Sequence, residues 1–83
     1  MRHFLKLWPE YMQAKRAGVK DWEFRAEDDR KFSLGDEVVF QEWNPAAAAY
    51  TGIQLGPVLI TYVHRDPAAI PSRCIFSHTR PRT

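Results

Sequence analysis

The chain has 83 residues, 45% hydrophobic and 13% aromatic, which suits one domain with a small core and argues against disorder. One cysteine, Cys74, excludes an intramolecular disulfide framework or a cysteine-based zinc cluster, and no apolar run approaches the roughly 20 residues that cross a bilayer. The formal net charge of +2 is divided as +3 over residues 1–25, −4 over 26–50 and +3 over 51–83, so a uniform polyanion-binding surface is excluded while a local basic patch is not. Lys6 interrupts the apolar stretch that a signal peptide would need. A soluble cytoplasmic domain with no membrane partner is expected.

His3-Phe4-Leu5-Lys6-Leu7 alternates as a short strand with His3, Leu5 and Leu7 on one side. Pro9 suits the first position of a helix over Glu10–Ala17, with Gly18 placed to end it in a left-handed conformation. Spacings of three and four put Tyr11, Ala14 and Gly18 on the expected core stripe, leaving Lys15 and Arg16 exposed in the last turn. Asp21–Arg25 alternates strictly and reads as a strand, with Trp22 and Phe24 anchoring it and Glu23 and Arg25 facing outward. Glu27–Lys31 reads as a solvated charged turn, and Phe32–Asp36 as a further turn.

Glu37–Trp43 is rich in strand formers. Its parity leaves two arrangements open: either Glu42 faces inward with Val38 and Phe40, or the Val39–Trp43 row does. An inward Glu42 needs a cation or several donors, for which Lys6, Lys20 and Arg25 are candidates; otherwise Trp43 plugs one end and Glu42 meets water. Asn44–Ala49 reads as a loop, with Tyr50-Thr51-Gly52 following it. Tyr50 could there stack on a base or pin the loop to the sheet. Val58–Val63 and Arg73–Ser77 read as the last strands, with Cys74 as a small core residue. Five strands and one early helix predict an α+β fold, a small mixed β-barrel with the helix packed against it. It would occupy residues 1–78, and residues 79–83 are expected to fray.

The most informative segment is Gly18-Val19-Lys20-Asp21-Trp22-Glu23-Phe24-Arg25. Lys20 at the helix end, with Glu23 and Arg25 on the strand, can converge on an anion or a base edge, the guanidinium as a donor fork and the carboxylate as an acceptor. A plain Glu23–Arg25 surface ion pair is the structural alternative. The cleft is expected at this helix end and not at the alanine loop. His3, His64, His78 and Cys74 show no metal-site spacing, and neither a metal nor another cofactor is expected.

His3-x-Leu5-Lys6, Pro9-x-Tyr11, Gly18-x-Lys20-x-x-Glu23-x-Arg25, Asp29-Arg30-x-Phe32-x-x-Gly35-Asp36, Glu42-Trp43 and Tyr50-Thr51-Gly52 stand in this order. Together they resemble the ASCH domain of the PUA-like superfamily, and within it the small bacterial and phage branch catalogued as domain of unknown function 3850. The resemblance implies a PUA-like barrel and a cleft for RNA or a modified nucleotide near Lys20, Glu23 and Arg25; Lys6 as a neighbour, and Glu42 and Tyr50 on the readings above, complete the candidate residues. Some relatives resemble amidohydrolases of acylated cytidine that use a lysine, a threonine and a glutamate; here Glu23 stands at the threonine position, so no hydroxyl nucleophile is offered and no catalytic residue is assigned. A third reading is a protein partner engaged by the acidic stretch 27–42.

Overall fold

The computed structural model of the protein describes residues 1–68 and 72–81. Its elements are β1 (Arg2–Leu7), α1 (Pro9–Arg16), β2 (Trp22–Ala26), β3 (Glu37–Asn44), β4 (Ala49–Arg65) and β5 (Arg73–His78). The sheet order is β1-β3-β4-β5-β2, an α+β arrangement. β1 buries His3, Leu5 and Leu7 and pairs in parallel with β3 from Arg2↔Glu37 to Leu7↔Glu42. A parallel pair needs a long crossover, and α1, β2 and residues 27–36 supply it.

Pro9 opens α1, where a missing N–H costs nothing. Gly18 ends it at φ +75°, with its N–H on the Lys15 carbonyl and the Val19 N–H on the Ala14 carbonyl, a Schellman closure. The buried face differs from the expected stripe. Met12 and Lys15 face the sheet while Tyr11 is exposed, because Lys15 finds its ionic partner underneath the helix.

β2 corrects the expected parity as well. Glu23 is 3% exposed, whereas Trp22 and Phe24 are 44% and 54% exposed. The strand is placed by an ion pair on its inner row and leaves its aromatics outside. β2 runs antiparallel to β5, with Glu23 opposite Phe76 and Arg25 opposite Cys74. Cys74 lies in the core as expected, and burial pushes its thiol up to about 11.

β4 is one 17-residue strand, where the sequence suggested a strand over Val58–Val63 alone. Straight, it would span roughly 55 Å, yet the molecule's longest extent is 35 Å. It bends where Gly52 and Gly56 take φ +90° and +117° and where the register shifts. Residues up to Leu59 pair with β3, and Ile60 onward with β5. The bend thus folds the sheet over a core of Leu5, Leu7, Met12, Phe32, Phe40 and Phe76 among others.

The sheet is not closed into a barrel, which corrects the expected closure. β1 and β2 are its two edges, and no ladder joins them among the described residues. Strand pairing needs backbones about 4.8 Å apart, but the Arg25 side chain stands between these edges and donates from Nη2 to the Lys6 carbonyl at 2.8 Å. Beyond β5, Thr79 donates its N–H to the Leu59 carbonyl, and its hydroxyl oxygen accepts the Leu59 N–H; residues 82 and 83 lie outside the described residues, as do residues 69–71 of the irregular β4–β5 link.

Candidate functional site between the two sheet edges

The helix turn at Gly18 brings Lys20 back toward β2, and the inward parity of that strand sets Glu23 among three cations. Glu23 Oε1 lies 3.0 Å from Lys15 Nζ and 3.4 Å from Lys20 Nζ, and Oε2 accepts from Arg25 Nε at 2.9 Å. Lys15 Nζ also donates to the Trp22 carbonyl at 3.1 Å and lies 2.8 Å from His78 Nε2. His78 Nδ1 faces the Thr79 carbonyl at 2.8 Å. A carbonyl only accepts and an ammonium only donates, so His78 carries its proton on Nδ1 and accepts from Lys15 through Nε2.

Burial works to raise the Glu23 carboxyl, but Lys15, Arg25 and Lys20 outweigh it and hold the group below its ordinary value. Burial lowers the Lys15 ammonium by more than Glu23 restores. It also lowers His78, against the pull of the Thr79 carbonyl. The resulting centre has an ionised Glu23 and a neutral His78. Among the described residues no buried side-chain polar atom lacks a hydrogen-bond partner, as buried polar networks require.

Above this centre a groove of about 500 Å³ opens between β1 and β2, lined by Lys6, Trp8, Tyr11, Lys20, Trp22 and Arg25 among others. The volume falls in the range of small-ligand sites. Lys20 Nζ sits 4.4 Å from the Tyr11 ring centre and 4.9 Å from that of Trp22. Lys6 Nζ lies 3.9 Å from the Trp43 ring centre and 5.7 Å from that of Tyr50. A second groove, on the same edge and sharing Lys6 and Arg25, is lined by Tyr50, Phe4 and Arg30.

Of the residues singled out in the sequence, Lys6, Lys20, Glu23 and Arg25 are brought together. Glu23 is not a free acceptor facing outward: both its oxygens are occupied by cations, and it holds Lys20 and Arg25 in place. Tyr50 lies in β4 opposite Trp43, not in a loop, and borders the second groove. Glu42 faces inward with Val38 and Phe40. Its partner is a donor, the Thr51 hydroxyl at 2.8 Å, and none of the candidate cations Lys6, Lys20 and Arg25 pairs with it; it borders a separate crevice beneath α1.

Lys15, His78 and Trp8 were not foreseen as site residues. A lysine in the last turn of a short helix reads as solvent-facing, and nothing local couples residue 15 to residue 78. The Trp8–Tyr11 stack, with ring centres 6.3 Å apart, follows the spacing of three that links neighbours along a helix.

The protein is thus an α+β domain with an open sheet, a cationic cleft at its seam and aromatics along the rim. The family described as Domain of unknown function (DUF3850) matches residues 2–77, and the chain belongs to it. No curated protein matches the chain.

Proposed function

We propose that the protein is a binding module for RNA or a nucleotide, taken up in the groove between β1 and β2. The observation that carries this reading is the convergence of Lys6, Lys20 and Arg25 on one groove rimmed by Trp8, Tyr11 and Trp22. Cations meet phosphate, and exposed rings offer stacking surfaces that every base can use. The resemblance to ASCH and other PUA-like domains supports the same reading. So does the state of the acidic stretch, whose members are largely engaged: Glu27 with Arg65, Asp36 with His3 and the N-terminus, Glu37 with Arg2, and Glu42 with Thr51. Of the six acidic residues in that stretch, Asp28 and Asp29 stay exposed, which leaves a basic partner two adjacent carboxylates in place of a continuous acidic face. The amidohydrolase reading finds no support at Glu23, whose oxygens are held by three cations.

Fluorescence anisotropy with a labelled single-stranded RNA across a salt series tests the proposal. The affinity is expected to fall as salt rises. The Lys6→Ala/Lys20→Ala double variant, which spares the Arg25 bridge, is expected to weaken binding at least about tenfold and to flatten the log–log salt slope by about 1.4. Affinity indifferent to both salt and the double substitution rejects the reading.

A further inference from the structure

The outer face of β2, β5 and β4 carries an aromatic surface that the fold leaves uncovered. Register places Trp22 opposite Ser77 and Ser77 opposite Tyr62, and places Phe24 opposite Ile75 and Ile75 opposite His64. Directly paired residues share a face of the sheet. Trp22, Phe24, Ile75 and Tyr62 therefore stand together outside the core, and all four are exposed, Tyr62 at 62%. A contiguous apolar face of this kind marks an interaction surface.

Two observations say what covers it. First, the face is continuous with the groove, since Trp22 and Phe24 line both. Second, the cations continue beside the rings: Arg73, next to Ile75 on the same strand face, sets its guanidinium 5.7 Å from the Phe24 ring centre, as Lys20 stands over Trp22 and Lys6 over Trp43. Phe24, His64, Arg73 and Ile75, together with Asp66 and Cys74, line a shallow hollow of about 290 Å³. A ring with a cation beside it, repeated along a path, matches a polymer that alternates bases with phosphates. A protein partner would need no such repetition.

Resting on the proposed function, we infer that the natural ligand is a single-stranded oligonucleotide of at least three residues and not a lone nucleotide. It enters the groove at Lys6 and Lys20, crosses the Trp22–Phe24 ridge and lies along the sheet face, with Tyr62 at its Trp22 end and Arg73, four residues along β5 from Ser77, taking a phosphate at its Phe24 end. The rings on β2 are two residues apart, about 7 Å along the strand, and Tyr62 lies two strands over, about 10 Å away.

The test compares uridine monophosphate with uridine tetranucleotide, as RNA and as its deoxy counterpart, on the wild-type chain and on Tyr62→Ala, Tyr62→Phe and Arg73→Gln. All three substitutions lie outside the groove on exposed positions, and circular dichroism checks each fold. The tetranucleotide is expected to bind at least about tenfold tighter than the monophosphate. Tyr62→Ala and Arg73→Gln are expected to erase most of that gain without changing monophosphate binding, while Tyr62→Phe, which keeps the stacking surface, retains it. Equal affinity for the two lengths overturns this inference and leaves the groove reading standing. Binding of neither ligand overturns both. A dimer dissolved by Tyr62→Ala, with no gain from length, would assign the face to a second copy of the chain instead.

Discussion

Glu23 is the residue on which the site turns, because it compensates Lys15 inside the fold. Removing one member of a buried ion pair leaves the other uncompensated, a cost of about 3–5 kcal/mol. Glu23→Gln is therefore expected to destabilise the protein by about that amount in urea denaturation. Lys15→Met should cost less, since Glu23 keeps Lys20 and Arg25 and the methionine fills the space beneath the helix. The opposite order of the two variants would mean that Lys15 is not the group that Glu23 chiefly compensates.

Acid acts on the same centre. His78 has its folded value below the ordinary 6.5, so the unfolded chain takes up a proton first. Its contribution is full above about pH 6.5 and falls away as pH drops through the folded value. Glu23 is held below 4.5 by its cations, despite its burial. Asp36 is held below 3.8 by the hydrogen bond from His3, and Glu27 below 4.5 by Arg65. Their contributions are present above those ordinary values and are lost as pH falls through the folded ones. Thermal melting between pH 8 and pH 3 is expected to show a decline in two stages, the first beginning near pH 6.5. His78→Gln is expected to remove the first stage only.

Among the elements, β4 decides the shape because it serves two neighbours in succession. Its glycines are not equivalent. A Cβ on Gly56 would stand 2.6 Å from the Val38 carbonyl oxygen, and the residue has φ +117°, whereas Gly52, at φ +90°, has open space around it. Gly52→Ala should cost only the backbone strain, about 1–2 kcal/mol. Gly56→Ala must also push β3 away and should cost at least about 1 kcal/mol more than that. Guanidinium denaturation of the two variants side by side measures the difference; equal midpoints would show that the chain relieves the contact by a small backbone shift. The 27–36 segment is held in a different way, by Arg65 gripping both Glu27 oxygens and the Phe32 carbonyl, which seats Phe32 in the core.

At the scale of the molecule, the seam between β1 and β2 is the weak line of the sheet. Its two edges meet through Arg25 and not through a ladder, and the site occupies that seam. Arg25→Met should therefore raise hydrogen exchange at β1 and β2 amides while leaving β3 and β4 protected. Uniform loss of protection across all strands would show that the bridge carries global stability instead.

Periodicity and residue type alone were enough for β1, β3, β5 and the Pro9 and Gly18 limits of α1, because each follows from chemistry within a few residues. Local patterning reads a charged position as outward and an aromatic one as inward. That rule failed at Lys15, Glu23, Trp22 and Phe24, where a buried ion pair inverts both faces. Local patterning also missed that residues 49–57 belong to the same strand as Val58–Val63, where a bulge and positive φ angles bend the chain while it stays in the ladder. Whether the sheet closes, and what lies opposite what across its seam, depends on contacts between residues as distant as Lys15 and His78. Such pairings cost loop-closure entropy that only the assembled core repays, so the tertiary structure decided them.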